Sequence, residues 1–291
     1  MRLSVIIPNY NGERLLAALL PQVLGVLEAA PYGWEVVVAD DASSDGSRAL
    51  VERGFPQVKL VAGDANLGFG GNCNRGAEAA QGQCLAFINT DIELDADVFT
   101  PLLDCLSPSL FAVMPLIYAA GLGRVENLQE LWISRGLPWL RPLPGVPLES
   151  AAAAAVHLRA PRAVPLCGAF FVCHAALFSE LGGFSSEFGR AYWEDVDLGL
   201  RARAQGYETV VCPGAAVVHR HSVTMDEVLG DRGKRRRMLR NQAVFLRRNL
   251  AWLRPVPLWR LYLLMRVPQR LLSGDFGAAA EYCRLLVRSR A

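Results

Sequence analysis

The chain has 291 residues, of which 52% are hydrophobic and 20% are charged, and its formal net charge is +2. This composition excludes global disorder, and the length suits one large α/β domain or one domain with an appendage. No run of about twenty uncharged apolar residues occurs, so we expect no helix that spans a bilayer. The seven cysteines form no C-x-x-C pair, which predicts reduced, buried thiols in a cytosolic protein.

The small net charge hides an uneven distribution along the chain. Residues 232–291 carry fifteen basic and two acidic side chains, whereas the remaining residues carry fifteen basic and twenty-six acidic ones. An acidic body with a basic tail predicts that the tail binds an anionic partner.

The first half of the chain alternates apolar runs with helix-like segments. The runs "LSVIIP", "WEVVVAD", "VKLVA" and "CLAFIN" are predicted strands, and residues 12–30 and 70–82 are predicted helices. Such alternation predicts a mostly parallel sheet covered by helices, in which a ligand binds beyond the carboxyl ends of the strands. Polar residues follow three of these strands, at positions 9–11, 40–41 and 89–91, so we expect them to gather at one edge.

The pattern changes between residues 118 and 165, which are rich in Gly, Pro and Ala and include Trp132 and Trp139. We predict a long irregular insertion, since such a segment is either a functional loop or disordered. The strand "CGAFFVC" and a further helix follow it. The strand ending in "VVHRHS" then completes a domain of residues 1–224, and a basic helical region occupies residues 225–291.

Three carboxylates stand within four positions in "RAYWEDVDLGLRARAQGY". Helical spacing over residues 195–205 places Glu194, Asp195 and Asp197 in a first turn, where the helix dipole favours each anion by roughly 0.3–1 kcal/mol. Asp197 is expected to pair with Arg201 at i,i+4. A capped helix therefore explains the cluster, but the preceding Tyr-Trp pair also fits an acid beside an aromatic cleft.

Four other positions are candidates for binding or metal ligation. Asp40 ends an interior strand, where its carboxylate fits a turn or an acceptor for a uracil or thymine N–H. Asp91 lies in "FINTDIEL", and its carboxylate suits Mg²⁺ or Mn²⁺, although short acidic turns are common. His219 and His221 end a strand, either as surface groups or as contacts to a metal or phosphate.

In chain order, six segments resemble the family-two glycosyltransferases, and among them the rhamnosyltransferase-like bacterial branch. The segments are "SVIIPNYNG", "VVVADDASSDGS", "NLGFGGNCNRG", "FINTDIEL", the stretch from "GAFFVC" to "RARAQGY", and "VVHRHSVT". They cover residues 1–224 apart from the insertion. The resemblance implies an α/β fold of the GT-A type that binds a nucleotide-sugar and inverts the anomeric configuration.

The resemblance also implies a role for each matching residue. Asp195 is the expected catalytic base, and Asp91 and His219 are the expected metal ligands for Mg²⁺ or Mn²⁺. With Asp195 as the base and Asp197 paired with Arg201, we expect Glu194 to orient the acceptor. By the resemblance, the donor is expected to contact Pro8, Asn9, Tyr10, Asp40, Asn89 and Thr90. From the residues themselves, we expect the donor to contact Arg75, which is available to a phosphate, and Trp193 of the aromatic pair.

Two departures concern the donor side of this pattern. Asn89 replaces the first carboxylate of the family's D-x-D, which leaves less charge to hold a cation. The doubled Asp40-Asp41 differs from the Asp-Asn that is usual in rhamnosyl members, so dTDP-rhamnose and UDP-sugars both stay open as donors.

The C-terminal segments interleave Leu, Trp and Tyr with Arg, as in amphipathic helices that lie on an anionic membrane. We therefore predict a peripheral protein at the cytoplasmic face of the membrane, acting on a glycan or lipid-linked acceptor and binding no nucleic acid. Helices that pack on the domain, or that build a homo-oligomer, are alternatives. Two other functions stay open: a sugar nucleotidyltransferase, and a non-catalytic protein that binds nucleotide-sugars or glycans.

Overall fold

The computed structural model describes residues 2–94, 96–134, 137–221, 224–249 and 258–272, together with 274, 276, 279, 280, 282, 283 and 286. The strands are β1 (Arg2–Asn9), β2 (Gly33–Asp40), β3 (Lys59–Ala62), β4 (Cys84–Ile88), β5 (Ile92–Glu93), β6 (Leu110–Ala119), β7 (Arg124–Val125), β8 (Gln129–Ser134), β9 (Leu137–Pro142), β10 (Arg162–Ala163), β11 (Phe170–His174) and β12 (Glu208–His219). The helices are α1 (Glu13–Glu28), α2 (Ser47–Gly54), α3 (Gly68–Ala79), α4 (Phe99–Cys105), α5 (Ala151–Leu158), α6 (Ala175–Glu180), α7 (Glu194–Ala204), α8 (Thr224–Arg248) and α9 (Leu258–Leu272).

A ten-stranded sheet organises the chain, with the order β10-β12-β6-β11-β4-β1-β2-β3 and with β5 and β7 attached to β12 and β6. The strands β4, β1, β2 and β3 run parallel, as do β6 and β12, whereas β11 is antiparallel to both of its neighbours. The prediction of an α/β fold around a mostly parallel sheet is confirmed. The helices α1, α2 and α3 connect the parallel strands, and crossovers of this kind are right-handed as a rule.

Both faces of the sheet are covered, which explains why its central strands are almost entirely apolar. Successive side chains of a strand point to opposite faces. Val5 and Ile7 of β1 accordingly enter the hydrophobic cluster beneath α1, while Ile6 enters the cluster on the opposite face. Because β1, β2 and β4 are parallel, their carboxyl ends lie at a common edge, together with the polar residues that end or follow them.

The prediction of an irregular insertion at residues 118–165 is wrong. This segment contains the hairpin of β8 and β9, the short strands β7 and β10, and the helix α5. Prolines in "LPWLRP" concealed β9, but proline is tolerated here because each strand of a two-stranded sheet is an edge strand. The polyalanine run forms α5 because Ser150 caps it, with Oγ accepting the N–H of Ala153 at 3.0 Å.

The C-terminal helix α8 packs on the domain. Its Val244 and Phe245 share a buried cluster with Phe188, Trp193 and Val196. This packing supports the alternative that the basic region braces the domain. Several arginine side chains of the basic run and residues 287–291 lie outside the described residues, so binding to an anionic surface stays a prediction.

Within the described part of the chain, the helices are too short or too polar to cross a bilayer. The seven cysteines are all free thiols, and Cys73, Cys84, Cys173 and Cys212 are buried. Burial raises the pKa of the Cys73 and Cys173 thiols well above the ordinary value, so these side chains act as core residues. The boundary between residues 224 and 225 stays a prediction, because α8 packs so closely on the preceding domain.

Candidate active site

A cavity of about 950 Å³ lies at the carboxyl edge of the parallel strands. It extends from the loop after β1 to the helices α7, α8 and α9. Ten of the residues singled out in the sequence line it: Pro8, Asn9, Tyr10, Asn89, Thr90, Asp91, Trp193, Glu194, Asp195 and His219. They come from four separate segments, which the topology of the sheet brings to one place.

The structure does not bring Asp40 and Arg75 to the cavity wall. Asp40 is fully buried, and its carboxylate accepts hydrogen bonds from Asn9 Nδ2 at 2.9 Å, Arg48 Nε at 2.6 Å and Ser43 N at 3.0 Å. Burial opposes ionisation, but the hydrogen bonds from Ser43, Arg48 and Asn9 prevail and lower the pKa of Asp40. The carboxylate oxygens of Asp40 thus bond to groups within the protein and are not available to a uracil or thymine ring.

Arg75 is occupied in the same way. Its Nη1 donates to the carbonyl of Asp40 at 3.2 Å, to Asn72 Oδ1 at 3.1 Å and to Asp41 Oδ1 at 3.4 Å. The guanidinium thus ties α3 to the end of β2. The predicted contact of Arg75 with a phosphate corresponds to no group on the cavity wall.

Asp41, which was expected at the same edge but without an assigned role, lines the cavity instead. Its two carboxylate oxygens accept the N–H groups of Leu67 and Gly68, each at 2.8 Å. Gly68 has φ +78°, and a Cβ there would lie 2.5 Å from the Cα of Arg190. The glycine-rich segment therefore serves a tight entry into α3 that only glycine permits, and Asp41 holds that entry in place.

A cluster of two carboxylates and two imidazoles lies at the end of β12. His219 Nε2 is 3.1 Å from Asp91 Oδ1, and His219 Nδ1 is 2.5 Å from Glu126 Oε1. The second oxygen of Glu126 is 2.7 Å from His221 Nε2, and the two imidazole rings lie 4.0 Å apart. Glu126 comes from the segment between β7 and β8, so residues 118–165, which were predicted to be an irregular insertion, contribute directly to this cluster.

The electrostatics of this cluster favour a positive charge between the acids. Burial disfavours ionised Glu126, but the hydrogen bonds from His219 and His221 hold its pKa at about 2. Burial likewise disfavours charged His219, but Asp91 and Glu126 raise its pKa to about 9. Ligand atoms of Glu126, His219 and His221 lie within 4.8 Å of one another. Carboxylate oxygens and imidazole nitrogens are suitable ligands for a divalent cation such as Mn²⁺, so the donor set fits such an ion.

A second pair of carboxylates begins α7. Glu194 is only 6% exposed, and its Oε2 has no hydrogen-bond partner among the described residues. Burial, and then the neighbouring Asp195, raise the pKa of Glu194 to about 8. Burial also raises the pKa of Asp195, although its oxygens accept the N–H groups of Gly168 and Val196, each at 2.8 Å. Burial thus favours the protonated form of Glu194, while the two backbone donors favour ionised Asp195.

The loop before α7 has a strained backbone and is held by hydrogen bonds from α8. Tyr192 and Trp193 have φ of 79° and 76°, in the left-handed region that non-glycine residues rarely adopt. The Nδ2 of Asn241, on α8, donates to the carbonyls of Phe188 at 2.7 Å, Ala191 at 2.6 Å and Tyr192 at 3.0 Å. The ring of Trp193, 8% exposed, therefore packs mainly against the protein rather than the cavity.

The remaining carboxylate of the motif is structural. Asp197 Oδ2 accepts from Arg201 Nε at 2.9 Å, which confirms the predicted i,i+4 pair. Asp197 Oδ1 also accepts from Arg248 Nε and Asn249 Nδ2, each at 3.0 Å. Asp197 thus joins α7 to the end of α8 and does not line the cavity.

The sequence contained no signal for Glu126, because "GRVENLQE" belongs to no recognised motif and lies 93 positions from His219. A signal for Asp41 was present, since two adjacent acids at a strand end cannot both point into the sheet. Two residues of β9, Trp139 and Leu140, also line the cavity unexpectedly.

Comparison with known families identifies this arrangement. The model of "Glycosyl transferase family 2" matches residues 4–157, and that of "Glycosyl transferase family group 2" matches residues 152–280. An N-acetylglucosaminyl-diphospho-decaprenol L-rhamnosyltransferase of Mycobacterium tuberculosis is 28% identical over 245 residues, covering 75% of each chain. This similarity confirms the predicted resemblance to the rhamnosyltransferase-like branch.

Two further relatives extend the comparison. Human polypeptide N-acetylgalactosaminyltransferase 16 is 27% identical over 226 residues, which are 74% of this chain, but the chain spans only 39% of that protein. The mannosyltransferase PcManGT from Pyrobaculum calidifontis, solved with GDP-Man and Mn²⁺, superposes with a TM-score of 0.59 at 17% identity, covering 99% of this chain and 74% of that one. The likeness confirms a fold of the GT-A type. Since the first family model covers more than half of the sequence, the chain belongs to glycosyl transferase family 2.

Proposed function

We propose that the chain is an inverting glycosyltransferase. It transfers a sugar from a nucleoside diphosphate donor, dTDP-rhamnose or a UDP-sugar, to a hydroxyl of a glycan or lipid-linked acceptor by a single displacement. One observation carries the proposal: Asp195 lines the same cavity as Asp91 and His219. A base and a site for a leaving diphosphate are the two parts that this reaction requires.

Asp195 acts as the general base. A sugar hydroxyl is a very weak acid, so its attack requires a group that accepts the proton as the new bond forms. The backbone N–H groups of Gly168 and Val196 orient the Asp195 carboxylate and leave lone pairs for the acceptor. The acceptor oxygen bonds to the anomeric carbon while the bond to the diphosphate breaks, and the proton passes to Asp195. A single displacement inverts the configuration.

Glu194 orients the acceptor. Glu194 lines the cavity, and its buried Oε2 has no hydrogen-bond partner among the described residues, so we assign the missing hydrogen bond to a hydroxyl of the acceptor sugar. A buried polar atom without a partner costs about 1–3 kcal/mol, which acceptor binding recovers.

The other end of the cavity binds the diphosphate. Asp91, Glu126, His219 and His221 would hold the divalent cation, Mg²⁺ or Mn²⁺, which would offset the negative charge developing on the leaving group. Glu126 fixes the orientation of the His219 ring through Nδ1. Asn9, held by its contact with Asp40, and Tyr10 lie beside the nucleotide.

A relative supports the class of acceptor, and the C-terminal region supports the location. The mycobacterial relative is named for a diphospho-decaprenol acceptor. In this chain Leu264, Met265 and Leu272 of α9 are exposed and form an apolar surface that suits the cytoplasmic face of a membrane, while Arg266 and Arg270 of the same helix line the cavity. Peripheral attachment there would bring the cavity to a lipid-linked acceptor or an envelope polysaccharide. A homo-oligomer built through the same helices is compatible with this arrangement.

The test is a panel of UDP-, dTDP- and GDP-sugars with and without Mn²⁺ or Mg²⁺, scored by thermal shift and by release of nucleotide. A donor used by the enzyme stabilises the fold by mass action and is slowly hydrolysed or transferred. Stabilisation without any turnover would instead indicate a non-catalytic binding protein. Release of pyrophosphate from a nucleoside triphosphate and a sugar phosphate would indicate a nucleotidyltransferase.

A further inference from the structure

The β8–β9 hairpin forms one wall of the cavity and exposes two tryptophans. Trp132 and Trp139 are directly opposite each other in the hairpin, and they are 45% and 44% exposed. Only Trp139 lines the cavity, together with the adjacent Leu140. Exposed aromatic side chains at a cavity commonly mark a ligand surface.

The two tryptophans have different surroundings. The guanidinium of Arg141 lies 3.6 Å from the centre of the Trp132 ring, and Arg141 Nε also donates to Glu130 at 2.6 Å. Trp132 is thus already covered by a cation–π contact. Trp139 instead lines the same cavity as Asp195.

The hairpin is fixed on the acceptor side of the cavity. Gln242 Nε2, on α8, donates to the carbonyl of Pro138 at 2.5 Å, and Leu131 packs on the cluster that contains Trp193. Trp193 directly precedes Glu194 and Asp195. At the opposite end, Asp41 and the loop after β1 come from other segments, and Glu126 precedes the base of the hairpin, where Gln129 pairs with Pro142, whereas Trp139 lies nearer the turn. Trp139 therefore belongs with the carboxylate pair and not with the nucleotide.

We propose that Trp139 is the platform on which a pyranose ring of the acceptor stacks. This inference rests on the proposed function, since it assigns the acceptor end of the same cavity. One face of a pyranose presents C–H groups, and a flat aromatic ring buries that face while the hydroxyls keep their polar contacts.

The test is direct binding of octyl glucoside, octyl galactoside and octyl N-acetylglucosaminide, below their micellar concentrations, to the full chain. Binding is followed by saturation-transfer NMR and by titration. Trp139→Ala should weaken sugar binding by about tenfold, because an aromatic contact of this kind contributes roughly one factor of ten. Trp139→Phe should restore most of the affinity. Trp132→Ala is the matched control on the same hairpin and should bind as the wild type does.

Four outcomes are decisive. Weakening by Trp139→Ala alone, with rescue by Trp139→Phe, supports the platform. Equal weakening by both alanine variants would show a general loss of the hairpin and would overturn it. Absence of binding to all three glycosides by the wild type would also overturn it, as would equal loss of binding to anionic vesicles by both variants, which indicates a membrane contact. Failure of the proposed function is recognised separately, because the wild type would then consume no donor whatever happens at Trp139.

Discussion

We expect Asn241→Ala to reduce the transfer rate more than it reduces the stability of the fold. Asn241 is fully buried on α8, and its single amide group donates to three carbonyls of the loop that precedes Glu194. The amide has two hydrogens, so the contacts amount to about two full hydrogen bonds, worth roughly 0.5–1.5 kcal/mol each. The substitution should therefore lower the free energy of unfolding by about 1–3 kcal/mol.

The loop stores a comparable amount of energy. Tyr192 and Trp193 are both in the left-handed region, at a cost of about 1–2 kcal/mol per residue. The contact of Trp193 with Phe245, whose ring centres lie 4.9 Å apart, offsets only about 0.5–1.5 kcal/mol of this strain. Without Asn241 the strain is no longer compensated, so the loop relaxes and the carboxylate pair leaves its position. A loss of about tenfold or more in turnover follows, because an error of 1 Å in position has that effect.

The assay compares three measurements on the full chain: thermal unfolding, donor affinity and turnover. Donor affinity should stay within about twofold of the wild-type value, because Asn241 and the loop it supports lie at the acceptor end of the cavity. The matched control is Asn249→Ala, since Asn249 is a buried amide directly after the same helix that donates to Asp197 and to the carbonyl of Phe245 but not to the loop. It should lower the melting temperature while leaving turnover near the wild-type value. If Asn241→Ala and Asn249→Ala lose the same amount of turnover for each unit of stability lost, Asn241 has no particular role in positioning the loop, and the reasoning fails.

Three further results are expected. Asp195→Asn should lower the transfer rate by about 10²–10⁴-fold while leaving the donor Kd near the wild-type value. Single-turnover kinetics measure the transfer rate. Substantial transfer by the variant would exclude Asp195 as the base. Asp91→Ala should remove the Mn²⁺-dependent part of donor stabilisation in a thermal-shift assay, and an unchanged metal dependence would contradict the assignment. Glu194→Gln should flatten the pH dependence of stability. The folded-state pKa of Glu194 is about 8 against an ordinary 4.5, so its contribution is complete below pH 4.5 and is lost as the pH rises through 8. The melting temperature of the variant should therefore exceed that of the wild type increasingly between these values, and parallel curves would refute the proton assignment.

The sequence alone was sufficient for the framework and for much of the site. Apolar runs separated by helical periodicity require a parallel α/β sheet, and the carboxyl ends of parallel strands meet at one edge. Asn9, Asp91 and His219 each follow or end such a strand, so their meeting in one cavity is a consequence of the pattern. The Arg201 partner of Asp197 likewise follows from helical spacing alone.

Only the tertiary structure decided which side chains reach the ligand and which hold the protein together. Asp40 and Asp41 are adjacent acids, but Arg48 and the register of β2 take Asp40 into the interior and leave Asp41 at the cavity. Glu126 joins His219 across 93 positions, and Asn241 supports the loop from a helix whose charge predicted a surface role. Periodicity reports the direction of a side chain relative to its own strand or helix. Contacts between distant segments depend on how those elements pack, and that packing is a property of the whole fold.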